Sequence, residues 1–223
     1  LHLKAPEGVA GGAIGAAFKP HQYYLLKPFR YFGLFISRLM ELTGRGTSAE
    51  AFKAVNEQIA HLSSVQPKAY FAVGGDVLLG NACERMNILN MEMDATDYEL
   101  IQSGYVYLGM ASRIMLEDLK KYCDDSVPYF AGGAVTKDDV FMTYKASILN
   151  REILVLDTDE ISALGGAIAA ATAAEDRTML SALRSGSLVR KRVSPDRHIT
   201  DGLSDVYNEY RRIMEHGSSD LFR

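Results

Sequence analysis

The spacing of apolar positions divides the chain into long helices and short strands. In residues 28–43 the apolar side chains Phe32, Phe35, Ile36, Leu39, Met40 and Leu42 recur with the period of a helix. Gly44 and Gly46 end that segment, since glycine tolerates the left-handed backbone that closes a helix. Thr47-Ser48-Ala49-Glu50 reads as a capping box, in which the Thr47 hydroxyl accepts from an orphan amide and Glu50 reaches back. The helix it opens is expected to run to about Leu62. Tyr70-Phe71-Ala72-Val73 is a short strand stopped by Gly74-Gly75. Residues 94–122 carry the longest helical pattern, capped by Asp94 or Thr96. Ile101, Tyr105, Leu108, Met115, Leu119 and Tyr122 are expected along its buried face. Gly104, Gly109, Ala111 and Ser112 leave room there for a close neighbour, such as another helix.

The second half of the chain has a different rhythm. An apolar strand over residues 127–131 is broken by Gly132-Gly133-Ala134-Val135. Asp138 or Asp139 caps a helix running to about Leu149. A strand over residues 152–156 follows, then the turn Asp157-Thr158-Asp159 and a helix over residues 160–174. This strand–turn–helix–strand–helix order is that of an α/β layer. A last helix over residues 200–216 has Leu203, Val206, Tyr207, Tyr210 and Met214 as its buried stripe and ends at Gly217. Residues 8–18 are rich in Gly and Ala, which suits either a tight loop or a strand passing close to another backbone.

Composition narrows the function classes. The 223 residues are 48% hydrophobic, enough for a real core, and the net charge of −4 makes no case for nucleic acid or an anionic membrane. Arg184, Arg190, Lys191, Arg192 and Arg197 cluster, but acidic residues follow closely, so a solvated surface is expected. Cys83 and Cys123 form no CxxC pair, and the five histidines show no ligand spacing. The longest apolar run, 161–174, is too short to span a bilayer. We therefore expect a soluble, cytoplasmic protein. The chain opens on Leu1 with no signal-peptide pattern, and an excised domain is expected. Oligomeric state is left open, a homo-oligomer included.

Candidate chemistry centres on Gly132-Gly133. A strand delivers the chain to a turn without Cβ atoms, and the amides of a following helix point back at it, which suits a phosphate. On these grounds alone a plain strand end is the commoner explanation of such a turn. No P-loop and no dinucleotide fingerprint occurs. Gly46-Thr47-Ser48 opens a helix after a helix and is read as a cap. The pairs Asp124-Asp125 and Asp138-Asp139 are adjacent in sequence, point different ways on a helix, and are read as caps or surface. Glu160 is read as a helix cap, and Gly165-Gly166 as serving close packing.

Together these segments resemble the C-terminal domain of the FGGY-family carbohydrate kinases, of the xylulokinase and glycerol kinase type. The resemblance is carried by residues 131–137, Phe141, residues 146–153, and the Glu160-Ile161-Ser162-Ala163-Leu164-Gly165-Gly166-Ala167 element. Spacing between the blocks fits, and the Tyr-rich last helix also resembles the family's. The resemblance implies an α/β fold like the actin and hexokinase ATPase domains (ribonuclease H-like), a mixed sheet with packed helices. It implies that residues 1–223 form one nucleotide-binding domain that uses ATP and Mg2+. Gly132, Gly133 and Ala134 would contact phosphates and ribose, and Lys137 would stand near the adenine. Lys137, Ser147 and Asn150 depart from the family's polar residue, Asp and Gly. The sugar or polyol hydroxyl would be phosphorylated with an N-terminal domain carrying the Asp-x-Gly-Thr motif, the catalytic base and the metal carboxylates. That motif does not occur here; Asp76 is the one tempting base. The isolated chain is thus expected to be inactive as a kinase. A non-catalytic nucleotide-binding or regulatory module, and an interaction module without nucleotide, are the alternatives.

Overall fold

Local chemistry sets most element boundaries in the computed structural model, which describes residues 13–16, 23–27, 32–73, 86–122, 127–174, 181 and 188–216. Helix α1 (Phe32–Leu42) ends where the Thr43 hydroxyl donates to the carbonyls of Leu39 and Met40 and Gly44 turns left-handed at φ +69°. Helix α2 (Ala49–Ile59) follows after Ser48. Ser48, and not Thr47 as expected, is the N-cap: its Oγ accepts from the Ala51 amide at 3.2 Å. The two hydroxyls stand side by side in sequence, and backbone direction alone decides which faces the helix.

Helix α3 (Asp97–Leu119) begins with a full capping box. The Thr96 hydroxyl accepts from the Glu99 amide, and the Glu99 carboxylate accepts from the Thr96 amide at 2.9 Å. Thr96→Ala is expected to cost about 1 kcal/mol, measured by denaturant unfolding. The Thr96 amide, and then its hydroxyl, holds the Glu99 carboxyl below its ordinary value of 4.5. A depressed folded-state value means stabilisation present at neutral pH and lost as pH falls through that range. Glu99→Gln should therefore flatten the stability profile between about pH 5 and 3.

Ile101, Tyr105 and Leu108 of the expected stripe on α3 are buried and Met115 and Leu119 half-buried, but burial is not confined to one side. Residues Ile101 to Ala111 are all buried, so this stretch is apolar-packed all round. Tyr122, assigned to the stripe, is 43% exposed beyond the helix end. Burial on every side requires close neighbours, and the glycines allow them. A Cβ on Gly104 would lie 2.7 Å from Leu39 Cδ2 of α1. A Cβ on Gly109 would lie 2.4 Å from Ile148 of α4 (Asp139–Leu149). The helix expected beside the small residues is in fact two helices.

Among the described residues there are three small sheets. Strands β1 (Ala13–Ala16) and β2 (Tyr23–Leu26) form an antiparallel pair, in which a Cβ on Gly15 would strike the Tyr24 ring. Part of the Gly-rich segment is thus a strand passing close to its neighbour. Strands β3 (Tyr70–Val73) and β4 (Met86–Leu89) pair antiparallel. Strand β5 (Tyr129–Ala131) lies parallel to β6 (Ile153–Leu156), and β7 (Val189–Val193) closes that sheet antiparallel. The sheet is mixed and its helices pack on it, as expected. Strand β7 absorbs part of the basic cluster: Arg192 pairs with Glu152 at 2.9 Å and Lys191 with Asp139. Arg184 lies outside the described residues, as do Cys83, Cys123, Asp76, Gly74-Gly75 and Asp124-Asp125.

Helix α5 (Ile161–Ala173) carries no charge, and none of its described side chains is buried. Close packing at Gly165 and Gly166 is not found, since a Cβ at either meets nothing within 4 Å. The single last helix is instead two, α6 (Arg197–Gly202) and α7 (Val206–His216). The stripe itself is right: Leu203, Val206, Tyr207 and Tyr210 are buried, while the Met214 side chain lies outside the description. Among the described residues no helix is long and apolar enough to cross a membrane.

Candidate functional site

Strand β5 ends at Ala131, and the backbone then turns through the two glycines. Gly133 has φ +87° and ψ 176°, a region open to glycine and strained for other residues. Its carbonyl accepts from the Thr136 amide at 3.1 Å and hydroxyl at 2.8 Å, which winds Ala134–Lys137 into a 3₁₀ turn. Helix α4 starts at Asp139, as its expected cap implies, and the 3₁₀ turn stands between it and the glycines. Asp138 caps it, accepting from the Phe141 amide at 2.8 Å. That amide is occupied by the protein's own carboxylate and is not free for a ligand.

Two departures from the expected pattern explain themselves here. Asn150 takes the left-handed position at the end of α4, φ 49°, where a glycine would otherwise sit. Ser147 is buried: its hydroxyl donates to Thr143 and accepts from the Asp196 amide at 2.9 Å, tying α4 to the start of α6. Both substitutions preserve backbone structure.

The 3₁₀ turn and the start of α4 form one wall of a cleft of about 740 Å³; α1, α2 and α3 form the others. Phe32, Ile36, Phe52, Leu108, Val135 and Phe141 give it apolar sides. Phe141 meets the rings of Phe32 and Tyr105 edge-on, both at 5.4 Å between centroids. Three polar groups meet on its wall: Tyr105, Asp138 and Asn56. Tyr105, on α3, is 1% exposed, and its hydroxyl reaches Asp138 Oδ2 at 2.6 Å and Asn56 Oδ1 at 2.8 Å. Burial, then the Asp138 carboxylate, pushes the Tyr105 phenol far above its usual range. It is neutral at any ordinary pH. Apolar walls with a few fixed polar groups are the build of a small-molecule site, and the volume suits a nucleoside.

Of the four residues expected at a nucleotide, the structure brings Ala134 and Lys137 to the cleft wall. Gly132 and Gly133 form the turn that sets them there. A Cβ on Gly132 would meet Ile161 Cδ1 at 2.3 Å, so Gly132 packs on the start of α5. The Lys137 ammonium is drawn to Asp159 at 2.5 Å. Asn56 and Phe52 were missed by the sequence reading, and Tyr105 was assigned to core alone; no local motif marks any of them. Asp138 does serve as the expected cap, and Asp139 as surface. Among the described residues no three His, Cys, Asp or Glu side chains converge as metal ligands. A second cavity, about 310 Å³ between α3, α4 and α6, is lined by groups that satisfy one another. There the Arg113 guanidinium stacks on the Tyr207 ring at 3.8 Å, and the Tyr207 hydroxyl donates to Glu117.

Comparison with known proteins places this geometry. The profile of the FGGY family of carbohydrate kinases, C-terminal domain, matches residues 46–174, more than half of the chain. No curated protein sequence gives a significant match. Among solved structures, a ligand-bound xylulose kinase from Lactobacillus acidophilus is similar at TM-score 0.76 and 16% identity, over 99% of this chain and 45% of that one. A xylulose kinase from Rhodospirillum rubrum is similar at 0.71 and 15%, over 92% and 41%. A Plasmodium falciparum glycerol kinase with ADP is similar at 0.69 and 14%, over 91% and 41%. The shared fold is the actin and hexokinase ATPase fold. The chain spans less than half the length of these kinases.

Proposed function

Because this chain belongs to the FGGY family of carbohydrate kinases, through their C-terminal domain, we propose that its cleft holds the adenosine part of ATP or ADP. The observation that carries this is the position of the cleft: an aromatic-walled cavity directly beside the Gly132-Gly133 turn. The base lies between Phe52 and the Phe141 side of the cleft, Ala134 meets the ribose, and the phosphates run toward the two glycines. Glycine at 133 keeps that backbone open, since a Cβ there would point into free space. The glycerol kinase of the same fold was solved with ADP, which supports the choice of ligand.

The wider reading is a carbohydrate kinase that transfers the γ-phosphate of ATP to a sugar or polyol hydroxyl. Residues 1–223 would be its nucleotide-binding domain. Phosphoryl transfer needs a base on the attacking hydroxyl and Mg2+ on the phosphates. In this reading Mg2+ and the base are supplied by an N-terminal domain, as the resemblance to the family implies. Helix α5, uncharged and with no described side chain buried, supports such a partner, because exposed apolar surface is stabilised by a surface that covers it. 

The test uses the 223-residue chain alone. Calorimetry should show ADP binding, weak because half the cleft is missing, and no ATP turnover should appear with any added sugar or polyol. Absence of binding at millimolar ADP would point instead to an interaction module. Sugar-dependent turnover by this chain would remove the need for a second domain.

A further inference from the structure

The polar groups in the cleft have a direction, set by counting protons. Asp138 acts as an acceptor on both oxygens: Oδ1 takes the Phe141 amide and Oδ2 the Tyr105 hydroxyl. A phenol carries one proton. Tyr105 gives it to Asp138, so toward Asn56 its oxygen can only accept. Asn56 Oδ1 stands 2.8 Å from the Tyr105 oxygen, where two acceptors would face one another once the phenolic proton goes to Asp138; a half-turn of the amide sets its NH₂ group there and satisfies the network. Its carbonyl oxygen is the atom left over. Asn56 is half-buried on the cleft wall, and Tyr105 is its one side-chain partner among the described residues.

We propose that Asn56 reads the base: its carbonyl oxygen accepts from the exocyclic amino group of adenine and rejects guanine, which presents an oxygen at that position. This rests on the nucleotide reading above. Tyr105 and Asp138 are positioning residues that hold the Asn56 amide in one of its two orientations. Recognition of the base is thereby moved to α2, away from Lys137, whose ammonium is engaged by Asp159. The relay is also reversible by one atom. With an amide at position 138, its NH₂ group donates to Tyr105, Tyr105 donates to the Asn56 carbonyl, and the Asn56 NH₂ group turns to the cleft. That end matches guanine.

Calorimetry with ADP and GDP on the 223-residue chain tests this. The unsubstituted chain should bind ADP about tenfold more tightly than GDP. Asn56→Leu should lower ADP affinity about tenfold and bring the ratio near one. Asp138→Asn keeps a side chain that caps α4 equally well, and should shift the ratio toward GDP by about tenfold. Thermal melts confirm that both variants are folded. A shift of preference on Asp138→Asn is an outcome that loss of structure does not produce. Retention of the original ratio in both variants, with ADP still bound, overturns the role of Asn56 and leaves the nucleotide site standing. Equal affinity for the two nucleotides in the unsubstituted chain does the same. Binding of neither nucleotide overturns both readings.

Discussion

Phe141→Ala is expected to destabilise the chain by about 3 kcal/mol, the lower end of the range for burying and then deleting an aromatic ring. Phe141 is 1% exposed and sits in the first turn of α4, where its amide is held by Asp138. Its ring touches Phe32 of α1 and Tyr105 of α3 edge-on, so one side chain joins three helices. Two such aromatic contacts add roughly 1 kcal/mol each beyond the area buried. The void left by alanine would open on the cleft, where water can enter, and this argues for the lower end of the range. Urea unfolding should show a lower midpoint with unchanged slope. Phe141→Leu keeps most of the volume and should cost less than about 1.5 kcal/mol. ADP affinity should fall with Phe141→Ala, because the ring is also a wall of the cleft.

Gly133→Val should separate binding from stability. No atom obstructs a Cβ at this position, so the cost is that of the backbone, about 1–3 kcal/mol for a valine at φ +87° and ψ 176°. The chain relieves that strain by rotating the turn. Rotation moves the Gly133 carbonyl, to which Thr136 is bonded twice, and with it Ala134 on the cleft wall. ADP affinity is therefore expected to fall at least about tenfold while the melting transition remains cooperative. Gly132→Ala makes the contrast. Its Cβ meets the end of the Ile161 side chain, which is 42% exposed and free to move aside. A smaller loss of affinity is expected there. Unchanged affinity in Gly133→Val, read by calorimetry, would separate the turn from the nucleotide site.

The sequence reading succeeded where neighbours along the chain decide the outcome. Thr96 and Glu99 stand three residues apart, and their capping box needs nothing from the rest of the protein. The same holds for the strand Tyr70–Val73, the cap at Asp138 and the left-handed end at Gly44. It failed by one residue at Thr47 and Ser48, where two equivalent hydroxyls compete. It failed altogether on β7, whose Val-Arg-Lys-Arg-Val alternation is short and mostly charged. That segment becomes a strand by pairing with β6, and its charges find Asp139 and Glu152 there. The stripe on α3 misled for a related reason. A period detects a helix with one wet side, whereas residues 101–111 are surrounded.

What the sequence by itself determined is the family, the order of helices α1 to α5 with strands β3, β5 and β6, and the Gly132-Gly133 turn, because each depends on residues a few positions apart. Only the tertiary structure decided what that turn faces. Asn56, Tyr105 and Asp138 lie 49 and 33 residues apart from one another in pairs, and none belongs to a motif. Asp138 comes to Tyr105 with α4, which Gly109 lets close on α3, and Asn56 reaches the same hydroxyl from α2. The direction of their hydrogen bonds, and the base that direction selects in our proposal, then follow from a single phenolic proton shared out in a buried place.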